Sequence, residues 1–210
     1  MRITLRLAMM LSLMGGAALG ASAPAQPLGP GDDALVQRAV AYLEGLSSDA
    51  GRFEQIDASG RIMGGAFYLQ RPGRARFDYD PPSGLMVASD GKEVSEVDRR
   101  LKTAHSVPLA SLPISMFLAR DIRLDRGVRV VRVTHDAQTF TLVARDIHHP
   151  GQGEMALTFS DSPLALTGWA VNQGRSATFR VRLIDFHPTA PREDSFFEIR
   201  NQRPAPARGA

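Results

Sequence analysis

The spacing of hydrophobic positions changes once along this chain. Leu35, Val36, Ala39, Val40, Leu43 and Leu46 recur at helical spacing, and Asp32 and Asp33 stand where acidic side chains suit a first turn. One amphipathic helix is therefore expected over about residues 33–47. Beyond it the period is two. Ala66, Tyr68 and Gln70 alternate with Phe67, Leu69 and Arg71, and Ala75, Phe77 and Tyr79 alternate with Arg74, Arg76, Asp78 and Asp80. This is the pattern of antiparallel strands with one dry and one wet face. It returns at Val131 and Val133, Phe140 and Leu142, Met155, Leu157 and Phe159, and Phe179, Val181 and Leu183. Turn chemistry separates the runs at Ala58-Ser59-Gly60, Pro81-Pro82-Ser83-Gly84, Asp90-Gly91-Lys92, Pro150-Gly151-Gln152-Gly153 and Asn172-Gln173-Gly174. Short strands at this spacing make a single curved sheet or barrel, mainly β with a helical part.

Residues 107–119 break the alternation. Leu109, Leu112, Ile114, Met116, Phe117 and Leu118 make this stretch apolar on more than one face, and Pro108 and Pro113 punctuate it. It reads as one or two short helices, and a short helix that is apolar most of the way round has to be buried against something. The tail at 203–210, rich in Pro, Ala, Gly and Arg, is expected to be disordered.

Composition narrows the setting. Arg2 and Arg6, an apolar run over residues 7–19 and small residues at Ala23-Pro24-Ala25 follow the layout of a secretory signal, with cleavage expected before Gln26. The run is shorter than the roughly 20 residues that span a bilayer, so the mature protein is expected to be soluble. Without cysteine the chain cannot be lipid-modified at a lipobox, stapled by disulfides or built round a thiolate metal site. Its 43% hydrophobic content supplies material for one core, so residues 26–202 are expected to form one domain. The net charge of +3 falls by two when Arg2 and Arg6 leave, and no overall field favours nucleic acid. Arg120, Arg123, Arg126, Arg129 and Arg132 cluster, but Asp121 and Asp125 interrupt them and no aromatic platforms lie between; they read as a solvated face.

No constellation asks for catalysis. The glycines at 151 and 153 fit a dinucleotide fingerprint formally, yet Leu157, Thr158 and Phe159 continue a strand where a helix should start. His148 and His149 are adjacent and point to opposite faces of a strand, while His135 and Asp136 lack a third spaced ligand. There is no Gly-x-Ser-x-Gly elbow, and Asp78 and Asp80 lie beside arginines as surface pairs do. No enzymatic activity, cofactor or metal is expected; a hydrolase with a non-local site is the remaining catalytic alternative.

The order of motifs is specific where single motifs are not. An amphipathic helix, Phe53-Glu54-Gln55, the run from Gly65 through Gln70-Arg71-Pro72, Phe77-Asp78-Tyr79 with Pro81, Ser89-Asp90-Gly91-Lys92 and the apolar insert resemble the outer-membrane lipoprotein carrier (LolA) family over about residues 33–200. That resemblance implies an incomplete, half-open antiparallel β-barrel covered by a helical lid, with an apolar cavity between them. It implies a periplasmic chaperone that takes acylated lipoproteins from an ATP-driven inner-membrane transporter and passes them to an outer-membrane acceptor lipoprotein; a monomer is expected. The family arginine that latches the lid through hydrogen bonds to lid backbone corresponds to Arg71, which precedes the motif proline; the alternative is an ordinary surface arginine. Phe67, Leu69, Phe77, Tyr79, Met86, Leu112, Met116, Phe117 and Trp169 are the candidate lining of the acyl-chain cavity, against the alternative of plain core. Arg74 and Arg76 fall on the opposite, wetter face by strand parity, where replacing them should do little. The chain departs from the family at Tyr68, Ala75 and Phe77, where large apolar or tryptophan residues are common, and its single tryptophan is Trp169. Relatives of this fold also include periplasmic regulators that bind an anti-sigma factor, which is the alternative function.

Overall fold

The computed structural model describes residues 28, 29, 31–122, 127–173 and 176–199. The expected signal and its cleavage site, the arginines at 123 and 126 and the expected tail lie outside the described residues. The first element among the described residues is helix α1 (Asp32–Gly45). Gly31 caps it in a left-handed conformation, and Asp32 and Asp33 complement the positive end of the helix dipole. Val36, Ala39 and Leu43, spaced at three and four residues, are its buried side.

Among the described residues, eleven strands form one antiparallel sheet: β1 (Ser48–Asp57), β2 (Ile62–Gln70), β3 (Arg74–Tyr79), β4 (Leu85–Asp90), β5 (Glu93–Asp98), β6 (Thr103–Pro108), β7 (Val128–His135), β8 (Thr139–Asp146), β9 (Glu154–Asp161), β10 (Leu164–Gln173) and β11 (Ser176–Pro188). Their order is β6-β5-β4-β3-β2-β1-β11-β10-β9-β8-β7, so two meanders are joined through β1 and β11 while β6 and β7 remain unpaired edges. The sheet is not closed. Between the two edges runs the insert, with a short helical turn at Leu109–Ser111 and helix α2 (Ser115–Leu118).

The inner face of the sheet, α1 and the insert share one core. Phe53, Phe67, Leu69, Phe140, Phe159 and Trp169 meet Val36, Ala39 and Leu43 of the helix and Leu112, Met116 and Leu118 of the insert. Two glycines allow close approach here, Gly51 of the β11 backbone, where a Cβ would come within 2.7 Å of the Asp185 carbonyl oxygen, and Gly65 of an aromatic ring. Gly51 lies opposite Phe67 in the ladder and Gly65 opposite Phe53; a Cβ on Gly65 would come within 2.7 Å of the Phe53 ring and 2.2 Å of the Asp78 carbonyl oxygen.

The outer face of β2 to β5 is covered too, which corrects two expectations. Residues 189–199 return across it: Phe196 stands edge-on to Tyr68, and Ile199 joins Met86, Ala88 and Val97 in a second apolar cluster. Met86 therefore does not line the inner cavity. In the ladder it opposes Asp78, one step out of phase with Phe77 and Val87, and that step reverses the face. Arg76, assigned to a wet face, is only 8% exposed. Its guanidinium stacks 4.3 Å above the Phe196 ring, donates to the Phe196 carbonyl at 2.6 Å and pairs with Asp78 at 2.9 Å. Parity placed the residue on the correct side, but a segment more than a hundred residues away in sequence turned that side into an interior.

Candidate functional site

A small apolar cavity lies between the insert and the inner face of the sheet. Ala75, Phe77, Val87 and Val94 contribute from one meander, Trp169, Val171 and Phe179 from the other, and Leu112, Pro113, Ile114 and Leu118 from the insert, which forms its lid. Ser89 also lines it, with its hydroxyl committed to the Gly73 carbonyl at 2.6 Å. The free space is about 70 Å³. That is well below the roughly 150 Å³ that admits a single benzene. The walls are apolar and the space is too small for a bulky ligand as it stands.

Of the candidate lining residues, Phe77, Leu112 and Trp169 border this space. Phe67 lies directly behind them, with its ring centroid 4.6 Å from Phe77 and 5.6 Å from Trp169. Leu69 and Met116 are buried in the surrounding core and Phe117 packs against it. Tyr79 packs on Phe53 at 4.9 Å and donates its hydroxyl to Gln55 at 2.7 Å. Val94 and Val171 were not singled out from the sequence, and Ile114 and Leu118 were read as apolar positions of the insert but not as cavity lining; the register that brings β5, β10 and the lid together is not visible in local periodicity.

Arg71 occupies the turn between β2 and β3, where the lid meets α1. Its guanidinium donates to the carbonyl oxygens of Leu43, Ala119 and Arg120, the last at 3.2 Å. The helix end explains the first contact. Leu43 is in the last turn of α1, where its carbonyl accepts the capping Leu46 amide at 3.3 Å and keeps a lone pair for a second donor, and that turn carries no basic residue of its own. Arg71 supplies the cation from another element and at the same time holds the lid's C-terminal end. Burial lowers its pKa, and Glu44 and Asp121 counter that effect. The Nε atom is buried without a hydrogen-bond partner among the described residues.

Two further contacts close the same seam. The Gly73 amide donates to the Leu118 carbonyl at 2.7 Å. Glu44 accepts from the Ile122 amide at 3.3 Å. Glu44 carried a legible signal, because a carboxylate in the last turn of a helix opposes the dipole and implies a compensating donor. Arg74, the residue after Gly73, turns away and pairs with Asp194 of the C-terminal crossing segment. No helix among the described residues is long and apolar enough to cross a membrane.

The half-open sheet, the lid and the arginine at its seam fit one family. The model of "Outer membrane lipoprotein carrier protein LolA" matches residues 44–200. The chain belongs to the LolA family. Among solved structures, it is similar to an uncharacterized conserved protein from Thermus thermophilus at 11% identity, covering 82% of this chain and 96% of that one with a TM-score of 0.46. It is also similar to a LolA superfamily protein from Nitrosomonas europaea at 8% identity, covering 77% and 96% with a TM-score of 0.44. MucB in complex with MucA(peri) is similar at 14% identity, covering 83% of this chain and 60% of that one with a TM-score of 0.41. A search among curated proteins finds no match.

Proposed function

We propose that this LolA-family chain is a periplasmic carrier that shelters the acyl chains of lipoproteins between membranes, acting by binding and not by catalysis. The observation that carries the reading is an almost wholly apolar cavity whose lid is held shut by a partly buried cation on backbone carbonyls.

Energetics favour such a construction. A methylene removed from water contributes about 0.8 kcal/mol, so a myristoyl-length chain is worth on the order of 10 kcal/mol. A rigid open pocket would take that in full and hold its cargo. Here loading breaks the Arg71 seam, where charged hydrogen bonds contribute about 1.5–3 kcal/mol each when shielded from water, and the Gly73 to Leu118 bond adds about 1. Binding stays favourable while several kcal/mol are returned at release. In this reading the inner-membrane ATP-driven transporter does the work of opening and loading, and an outer-membrane acceptor takes cargo by offering an apolar site without a comparable seam.

The test is competition between an environment-sensitive apolar fluorophore and a triacylated peptide on the purified mature protein. The fluorophore should bind and be displaced by the acylated peptide, not by the same peptide without lipid. Failure to bind it, or displacement that ignores acylation, overturns the carrier reading. Mild crosslinking in cells should capture acylated lipoproteins or the transporter, whereas recovery of an anti-sigma factor would favour the sensor alternative.

A further inference from the structure

We infer that Gln70 and the C-terminal crossing segment, residues 189–199, position the Arg71 turn from behind, so that lifting this segment loosens the lid on the opposite face of the sheet. The inference rests on the lid reading above and adds to it a second, remote control point.

The turn at 71–73 is held from two sides. On the lid side are the Arg71 guanidinium and the Gly73 to Leu118 hydrogen bond. On the outer side, Gln70 and Arg74 face each other in the ladder at the base of the turn, and each reaches residues 189–199. Gln70 is 8% exposed. Its amide nitrogen donates to the Arg192 carbonyl at 3.1 Å, and its amide oxygen accepts from the Arg192 amide at 2.7 Å. The side chain thus pairs with both backbone groups of one residue, as a neighbouring antiparallel strand would. The same oxygen accepts from the Ser48 hydroxyl at 3.1 Å, which ties the arrangement to the start of β1. Arg74 adds an ion pair with Asp194, whose side chain is 77% exposed, and such a pair contributes little. The buried amide pair is the stronger tether.

Side-chain contacts, and not a place in the sheet, hold most of the crossing segment: Arg192 also lies over Tyr68 at 5.6 Å, and the Thr189 amide donates to the Ser48 carbonyl at 2.8 Å at its start. Phe196 lies between Arg76 and Tyr68, and Phe197 and Ile199 are buried at 2% and 4% exposure. A segment outside the ladder opens locally at lower free energy than the sheet unfolds. When it lifts, Gln70 loses both bonds to Arg192, and the base of the turn gains freedom that the Arg71 geometry does not tolerate. The turn backbone retains two independent ties, the Arg71 amide to the Ser47 carbonyl at 2.8 Å and the Ser89 hydroxyl to the Gly73 carbonyl at 2.6 Å, so the expected result is a weakened seam and not a lost one.

Native-state hydrogen exchange on the full exported chain reads this directly. The Gly73 amide is protected only while the lid's Leu118 carbonyl is in place, and amides of β9 report global stability. Gln70→Leu removes the amide pair, and Phe196→Ala loosens the crossing segment without touching turn or lid. Each should raise Gly73 exchange about tenfold, the scale of one or two lost hydrogen bonds, with β9 unchanged. If Gln70→Leu does not fold, Phe196→Ala alone decides. Wild-type exchange at Gly73 in the crossing-segment variants, with faster exchange in Arg71→Leu, overturns the coupling and leaves the latch standing. Faster exchange in the crossing-segment variants but not in Arg71→Leu upholds the coupling and removes Arg71 as latch. No change in any variant overturns both.

Discussion

Replacing Arg71 by leucine tests the seam most directly. The substitution deletes every side-chain donor to Leu43, Ala119 and Arg120 while keeping an apolar stem. In the closed state those three carbonyls lose their charged partner, and Glu44 and Asp121 lose the nearby cation; in the open state water serves all of them. Because the site is only partly buried, each charged bond counts toward the low end of about 1.5–3 kcal/mol, and two effective bonds destabilise closure by about 3 kcal/mol. At 1.4 kcal/mol per tenfold, that moves the closed-to-open ratio about a hundredfold. The leucine also offers a loaded acyl chain apolar contact in place of a guanidinium, favouring the open, loaded state a second time. The variant should therefore bind triacylated peptide more tightly than wild type and release it more slowly to vesicles bearing the outer-membrane acceptor. Equal transfer by wild type and Arg71→Leu, with Arg74→Leu defective instead, would refute the reasoning and show that another arginine carries the role.

Three other outcomes follow from the packing and electrostatics. Ala75 lines the cavity and is 3% exposed, so Ala75→Leu should fill the space, lower apolar-probe affinity at least tenfold by fluorescence titration, and cost about 1–3 kcal/mol through overpacking. Arg76→Ala removes a buried guanidinium and strips Phe196 of its stacking partner; denaturant melts should show a loss of about 2–3 kcal/mol, near the low end for breaking a buried pair, whereas a change below about 0.5 kcal/mol would restore the wet-face assignment. For Asp57, burial pushes the pKa up, but hydrogen bonds from Ser59 and Arg61 outweigh it and bring it from 3.8 to about 2. A folded pKa below the unfolded one stabilises the protein above about pH 4, and that contribution disappears as pH falls through about 2. The stability gap between wild type and Asp57→Asn should narrow across that window in acid titrations, and a gap independent of pH would disprove the assignment.

The local pattern determined a good deal by itself. The apolar stripe and acidic first turn specify α1, the two-residue alternation with Gly and Pro turns specifies most strands, and the doubly apolar stretch at 107–119 specifies short buried helices, because each depends only on which side chains neighbouring residues can hide. Motif order added the family and singled out Arg71. Tertiary structure decided the rest. β1 carries Asp49, Gly51 and polar residues on both sides of Phe53, and it becomes a central strand because β11 and β2 pair with it across long separations. Arg76 and Met86 were assigned on the assumption that a sheet has one dry face, and residues 189–199 made the second face dry as well. Alternation tells which residues share a face; what covers that face is a property of distant chain, and so the cavity walls, the Glu44 contact and the bonds between Gln70 and Arg192 exist only once the meanders, lid and crossing segment are assembled.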